Sequence, residues 1–426
     1  MPGHRRAWTF VALVVIAVGC GSCGTVSDRL VVEQEEIIVE RRPDPAYEQL
    51  FPYYAELCAV SQFRSKTKGL GGVPGHAVMY LKGACQDEAA PYPRLRRCRR
   101  VATEPYDPEH GAGVSVNRWF RNVNWVAVPG KALFYDGNLQ RGERLTRAHF
   151  DATVREAIDR GVFRGVELHE YPTPAPERSL EDFVARQSLA TDFALQFARS
   201  VFCARLPLTE EMLVESMDFL NQLNHEFVTG EADYEWSGFA DNCVHTLRNA
   251  LAAASVWSPL SVRAIKFRQI FNLAVPANEF VNLARLGAQG PIDDYGKVYG
   301  DSVQRDALLE FGWLPTRHGA LVKTLPVHEE NDLYDTTLRL FVLQSPFRRG
   351  QTRAAVRLLS DERFVDLKAN LRHFSQVYDA ILENRDDEGF GLASLRGDRY
   401  RRIRRRYYAY IEEQRAEVEA MLGRLP

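Results

Sequence analysis

The chain has 426 residues, 45% of them hydrophobic, and its 54 Lys and Arg against 56 Asp and Glu leave a formal charge of −2. That composition gives a globular body with enough apolar residues for a sizeable core. It argues against disorder and against a nucleic-acid partner, which would need a strong basic excess. The first feature in chain order is a targeting segment rather than part of the fold. His4, Arg5 and Arg6 are basic, and the uncharged, mostly apolar run Ala7–Val18 follows. The run is too short to span a bilayer and has the length of a signal-peptide core.

It ends in Ala17-Val18-Gly19-Cys20, which resembles the bacterial lipobox. That resemblance implies that Cys20 is lipidated and becomes the first residue of the mature chain. Cys23 is the alternative site, and an ordinary secretory signal or a short anchor is the plainer reading. Gly21 and Ser22 follow, with no aspartate to imply inner-membrane retention. The expected location is therefore the cell envelope, lipid-anchored, at the outer membrane facing the periplasm. Residues 21–45 read as a tether, with Glu33, Glu35, Glu36 and Glu40 followed by Pro43 and Pro45.

Export changes the meaning of the seven cysteines. Cys20 and Cys23 belong to the leader region, and five remain. An odd number in an oxidising compartment leaves at least one thiol unpaired. Cys85 and Cys98 flank a loop rich in proline and arginine and form one candidate pair. Cys58 and Cys203, both read in apolar, helical surroundings, form a second. Cys243 is then left over.

The body, residues 46–285, reads as α+β. A helix is expected around Tyr47–Val60, then a loop with Gly69, Gly71 and Gly72 that reads as a lip rather than a phosphate cradle. The strand His76–Lys82 follows. Strand-like segments come near Val114–Phe120, Asn124–Val128 and Ala132–Tyr135. Arg147–Arg160 reads as a helix and Gly165–Glu170 as a strand. Long helical patterns cover Leu180–Phe202 and Thr209–Val228, the second capped by Thr209 with Glu210 and Glu211 in its first turn. A helix starting at Cys243 places Val244, Leu247, Leu251 and Ala254 on one stripe.

Residues 286–426 read as a helical C-terminal region. Its patterns are Asp301–Phe311, Thr336–Leu343, Gln351–Leu359, Asp361–Glu383 and Asp398–Leu422. The run Arg401-Arg402-Ile403-Arg404-Arg405-Arg406 sits on the last of these. A solvated face or contact with anionic lipid explains it more cheaply than nucleic acid does.

The chemistry concentrates at Asp241-Asn242-Cys243-Val244-His245. A cysteine opening a helix lies where backbone N–H groups and the helix dipole favour the thiolate. Far upstream, Gly75-His76-Ala77 opens an apolar strand. The two motifs in this order, Gly-His-Ala and Asn-Cys-x-His, resemble the circularly permuted branch of the NlpC/P60 papain-like superfamily, which includes the lecithin:retinol acyltransferase-like proteins and the PPPDE peptidases. The resemblance covers residues 55–260. It implies a permuted papain-like core, an antiparallel sheet packed on a cysteine-bearing helix, with a helical insertion near residues 180–230. Cys243 would be the nucleophile and His76 the general base.

The group that would orient His76 is open among Asn117, Asn124 and His169. His245 lies about 200° around the helix from Cys243 and is expected to bond backbone near the helix start. No cofactor or metal is expected, since the body has no Cys-x-x-Cys and no His-Glu-x-x-His. The expected function is that of an envelope lipoprotein hydrolysing an amide or ester bond. Its partners would be the bacterial membrane, through the N-terminal lipid, and a cell-wall peptide, envelope protein or lipid as substrate. The alternatives are phospholipid-dependent acyl transfer or thioester hydrolysis, and a non-catalytic scaffold built on the same core.

Overall fold

Six antiparallel strands make the central sheet of the computed structural model. They are β1 (Tyr54–Val60), β2 (His76–Lys82), β3 (Gly111–Ser115), β4 (Val126–Pro129), β5 (Val201–Pro207) and β6 (Leu321–Leu325), in the order β6-β5-β1-β2-β3-β4. The described residues are 27–31, 45–60, 64–65, 75–99, 109–137, 139, 143–169, 179–197, 200–232, 236, 242–258, 275–289, 295–325, 331–335, 339–343, 350–385 and 397–425. Residues 1–20 with Cys20, the Gly69–Gly72 lip, and most of the 21–45 tether lie outside them. Its segment Ser27–Val31 is a strand paired with Arg339–Leu343.

The helices in chain order are α1 (Pro45–Leu50), α2 (Ala132–Tyr135), α3 (Arg147–Asp159), α4 (Leu180–Thr191), α5 (Glu210–Thr229), α6 (Cys243–Ala253) and α7 (Pro276–Ala288). After them come α8 (Tyr295–Gly300), α9 (Ser302–Glu310), α10 (Gln351–Leu359), α11 (Glu362–Val365), α12 (Leu367–Glu383) and α13 (Gly397–Leu422). The fold is mixed α+β, as expected.

Several expected helices are strands. The segment expected as a helix over Tyr47–Val60 stops at Leu50 and continues as β1. Pro52 disfavours a helical residue before it, so the chain cannot run on as a helix. Leu180–Phe202 divides in the same way, into α4 and β5. Val201, Phe202 and Cys203 are good strand formers once a neighbouring strand is present on each side, and β5 pairs with both β1 and β6. The expected insertion near 180–230 therefore contributes a strand to the sheet as well as two helices. Thr336–Leu343, read as helix, ends in the strand Arg339–Leu343.

Two corrections run the other way. Ala132–Tyr135 is one helical turn, not a strand. Among the described residues of Gly165–Glu170 there is only an isolated bridge, between Phe120 and Leu168. Residues beyond 286 are also not helical throughout, because β6 forms one edge of the central sheet.

Strand alternation gives the sheet two buried faces. Ala55, Leu57 and Ala59 share one face with Met79, Val114 and Phe202, and all are buried. Phe202 meets Phe280 of α7 with ring centroids 6.1 Å apart, so α7 covers this side. Trp125, just before β4, donates from Nε1 to the Leu220 carbonyl of α5 at 2.6 Å. α5 is tied to α6 by Ser216 Oγ donating to the Ala250 carbonyl at 3.0 Å.

The opposite face carries charge. Glu56 receives Arg205 Nε at 2.6 Å and Lys323 Nζ at 2.9 Å, while Glu48 pairs with Lys82 and Lys131. Both glutamates are buried. Burial alone would raise the Glu56 pKa, but Arg205 and Lys323 outweigh it and hold the carboxyl at about 2.

Cys58 and Cys203 form a disulfide, as do Cys85 and Cys98, and Cys243 is a free, buried thiol. The expected pairing is therefore observed, but its helical surroundings are not. Cys58 and Cys203 lie directly opposite each other on β1 and β5.

Candidate active site

The site is assembled at one end of β2. Gly75 precedes His76 with a φ of +103°, and a Cβ there would sit 2.9 Å from the Val60 carbonyl oxygen. Only glycine accepts both that backbone region and that approach. His76 then starts β2 opposite Val60 of β1, at the end of an interior strand and with a side chain only 12% exposed.

Cys243 is brought there by α6. Asn242 caps the helix, its Oδ1 accepting from Val244 N–H at 2.9 Å and from His245 N–H at 3.3 Å. The His245 side chain completes a capping box, with Asn242 N–H donating to Nδ1 at 3.5 Å. These bonds satisfy donors that a helix start otherwise leaves open. Val244, Leu247, Leu251 and Ala254 are wholly buried, and α6 packs against β2 and α5. The stripe read from the sequence thus fixes the rotation of the helix. His245 is a cap rather than a reactive group: burial, helped by Arg248, holds its pKa at about 4, so it is neutral at pH 7.

His76 Nε2 lies 2.9 Å from Asp192 Oδ1 and 3.0 Å from Ser115 Oγ. The Cys243 sulfur is the other group that acts on this imidazole. Burial works against a charged His76, but the carboxylate of Asp192 and the sulfur of Cys243 outweigh it and raise its pKa to about 10.

Asp192 is the group that sequence reasoning missed. It is wholly buried and accepts from Asn117 Nδ2 at 2.8 Å and from Thr191 Oγ1 at 2.8 Å as well as from His76. Burial raises its pKa, and the pull of His76 with these hydrogen bonds more than reverses that. Asp192 follows the end of α4 directly, and the chain turns there through Ala194, whose φ is +49°. A non-glycine residue in that region costs about 1 kcal/mol or more and is retained where the surroundings enforce it. Here Ala194, Leu195 and Gln196 donate in succession to the carbonyls of Leu133, Phe134 and Tyr135, docking the turn on α2.

The three candidates for orienting His76 fall out differently. Asn117 is in the site but holds Asp192 rather than the imidazole. Asn124 is buried elsewhere, its backbone N–H donating to Asn224 Oδ1 at 2.8 Å. His169 is exposed, and its backbone N–H bonds the Trp119 carbonyl. One signal did point to Asp192. It is the sole charge in Leu189-Ala190-Thr191-Asp192-Phe193-Ala194-Leu195, and an acid inside an apolar run must be paired if buried.

The arrangement has the parts of a nucleophile, a base and an orienting acid. Cys243 is a free thiol, only 6% exposed. Among the described residues, the one group with metal-ligand spacing is Glu56, Cys58 and Cys203. Its two sulfurs are already joined in a disulfide and offer no thiolate. No protein-family model, curated protein or solved structure matches this chain.

Proposed function

We propose that this chain is an envelope lipoprotein whose body is a cysteine hydrolase with a permuted NlpC/P60-type, papain-like core. The observation that carries the reading is the alignment of Asp192, His76 and the only free thiol among the described residues, Cys243. In the proposed cycle Cys243 attacks an amide or ester carbonyl as the thiolate, and His76 protonates the leaving group. Water, activated by the same imidazole, then hydrolyses the acyl-thioester. Asp192 stays ionised throughout and orients the imidazole. Cell-wall peptides and envelope proteins are the substrates that the proposed location offers, and lipid acyl groups are the alternative.

The test is alkylation of Cys243 by iodoacetamide across pH, mapped by mass spectrometry. Wild type should label well below pH 8, whereas His76→Ala should need distinctly higher pH to label. Identical profiles for the two proteins would refute the dyad.

A further inference from the structure

The charge of α13 is divided between its two halves. Residues 397–410 hold six arginines and one acid, Asp398, whereas residues 411–422 hold four glutamates and one arginine, Arg415. The N-terminal end of a helix is positive and favours acids, and its C-terminal end favours bases. That dipole acts only within the terminal turns, where α13 holds Asp398 beside Arg399 at one end and Glu419 at the other. Glu412 and Glu417 pair with Arg385 and Arg317 of other elements, which leaves the arginine half to be explained.

Packing uses only some of these arginines. Arg404 lies over the rings of Tyr295 and Tyr408, each 5.3 Å from the centroid, and Arg406 Nε donates to the Leu308 carbonyl at 2.8 Å. Arg401, Arg402 and Arg405 are exposed on the side opposite the buried Ile403, Tyr407 and Ile411, with Arg401 paired to Asp398, while Arg399 is exposed nearer the buried side. Arg406 also ties α13 to the end of α9, where Leu309, one of the few large hydrophobic residues left exposed among the described residues, is 40% exposed. A run of cations beside a projecting apolar side chain is the composition of a surface that sits on lipid headgroups.

We propose that the exposed arginine face of α13, together with Leu309, docks on an anionic phospholipid bilayer. A bilayer fits better than a nucleic acid because the remainder of the chain carries no basic excess to extend a polyanion track. It also fits the lipobox-like leader, which would hold the body beside a membrane. The inference is independent of the thiol chemistry, and its test does not read it. Each arginine near an anionic surface contributes about fivefold to binding, so two contribute about thirtyfold.

The experiment uses the chain lacking residues 1–19, with Cys20→Ser so that no acyl chain contributes; no described residue is removed. It is sedimented with phosphatidylcholine vesicles containing about one-third phosphatidylglycerol and with pure phosphatidylcholine, at about 0.1 M salt. Binding should need the anionic lipid and fall at least about thirtyfold in Arg402→Glu/Arg405→Glu. Glu413→Arg, which extends the cationic face one patch along the helix, should bind more tightly. Equal binding to both vesicles, or wild-type binding by the double reversal, overturns the proposal. So does equally tight binding of duplex DNA at the same salt. Should the double reversal fail to fold, the absence of a gain in Glu413→Arg overturns it.

Discussion

Asp192 has no exposure and takes hydrogen bonds from three side chains, so its charge is compensated chiefly by His76. The imidazole is consequently held as a cation well above its usual range, with a pKa of about 10. A raised histidine pKa stabilises the fold fully below the unfolded value of about 6.5, and that contribution is lost as pH rises through about 10. Asp192, whose pKa is lowered, adds stability above about pH 4 that disappears in acid. The pair is thus strongest between about pH 4 and 6.5. Asp192→Asn should remove on the order of 3 kcal/mol of stability at pH 6 and much less at pH 10. Thermal melts across that range check this, and a pH-independent loss would disprove it. In the sequence, Cys243 and His76 were legible because each opens a periodic element. Asp192 was not, because an apparent helix over residues 180–202 hid the turn that delivers it.

Strand β2 depends on the residue before it. Gly75 adopts a φ of +103° against the Val60 carbonyl oxygen, which makes Gly75→Ala costly by two routes, backbone strain and a steric clash. The expected loss is about 2 kcal/mol or more. Cys243 should also lose its low-pH alkylation, because β2 would enter the sheet with His76 displaced. A stability loss with unchanged alkylation would show that the imidazole is placed by something else. The elements that the sequence revealed best are those with a cap or a clean period: α5 behind Thr209, α6 behind Asn242, and β2 itself. Those misread, β1 and β5, have Ala, Leu and Glu or Arg among their residues. In them, pairing with neighbouring strands prevails over local propensity. Charges in a strand usually signal a wet face. Glu56 and Arg205 give no such signal here, because they neutralise each other inside the core.

Across the whole molecule, the sheet joins segments that the sequence seemed to keep apart. β6 comes from the region after residue 286 yet pairs with β5 along its length, burying Leu321, Val322 and Leu325. Three such side chains contribute about 5–8 kcal/mol, comparable with the net stability of a domain. A protein ending at residue 285 should therefore lack a cooperative thermal transition by circular dichroism, and a sharp melt would show that 46–285 folds alone. No helix among the described residues is long and apolar enough to cross a membrane. The two bridges have a consequence for biogenesis. Cys85–Cys98 is nested inside Cys58–Cys203, so a chain oxidised in order of emergence would first join Cys58 to Cys85, wrongly. The correct outer bond has to wait until β5 has been synthesised and laid beside β1. Cys243 emerges after every other cysteine, when both native bridges can already have closed. Its place at the end of the series spares this free thiol from capture while the rest of the body is being sealed.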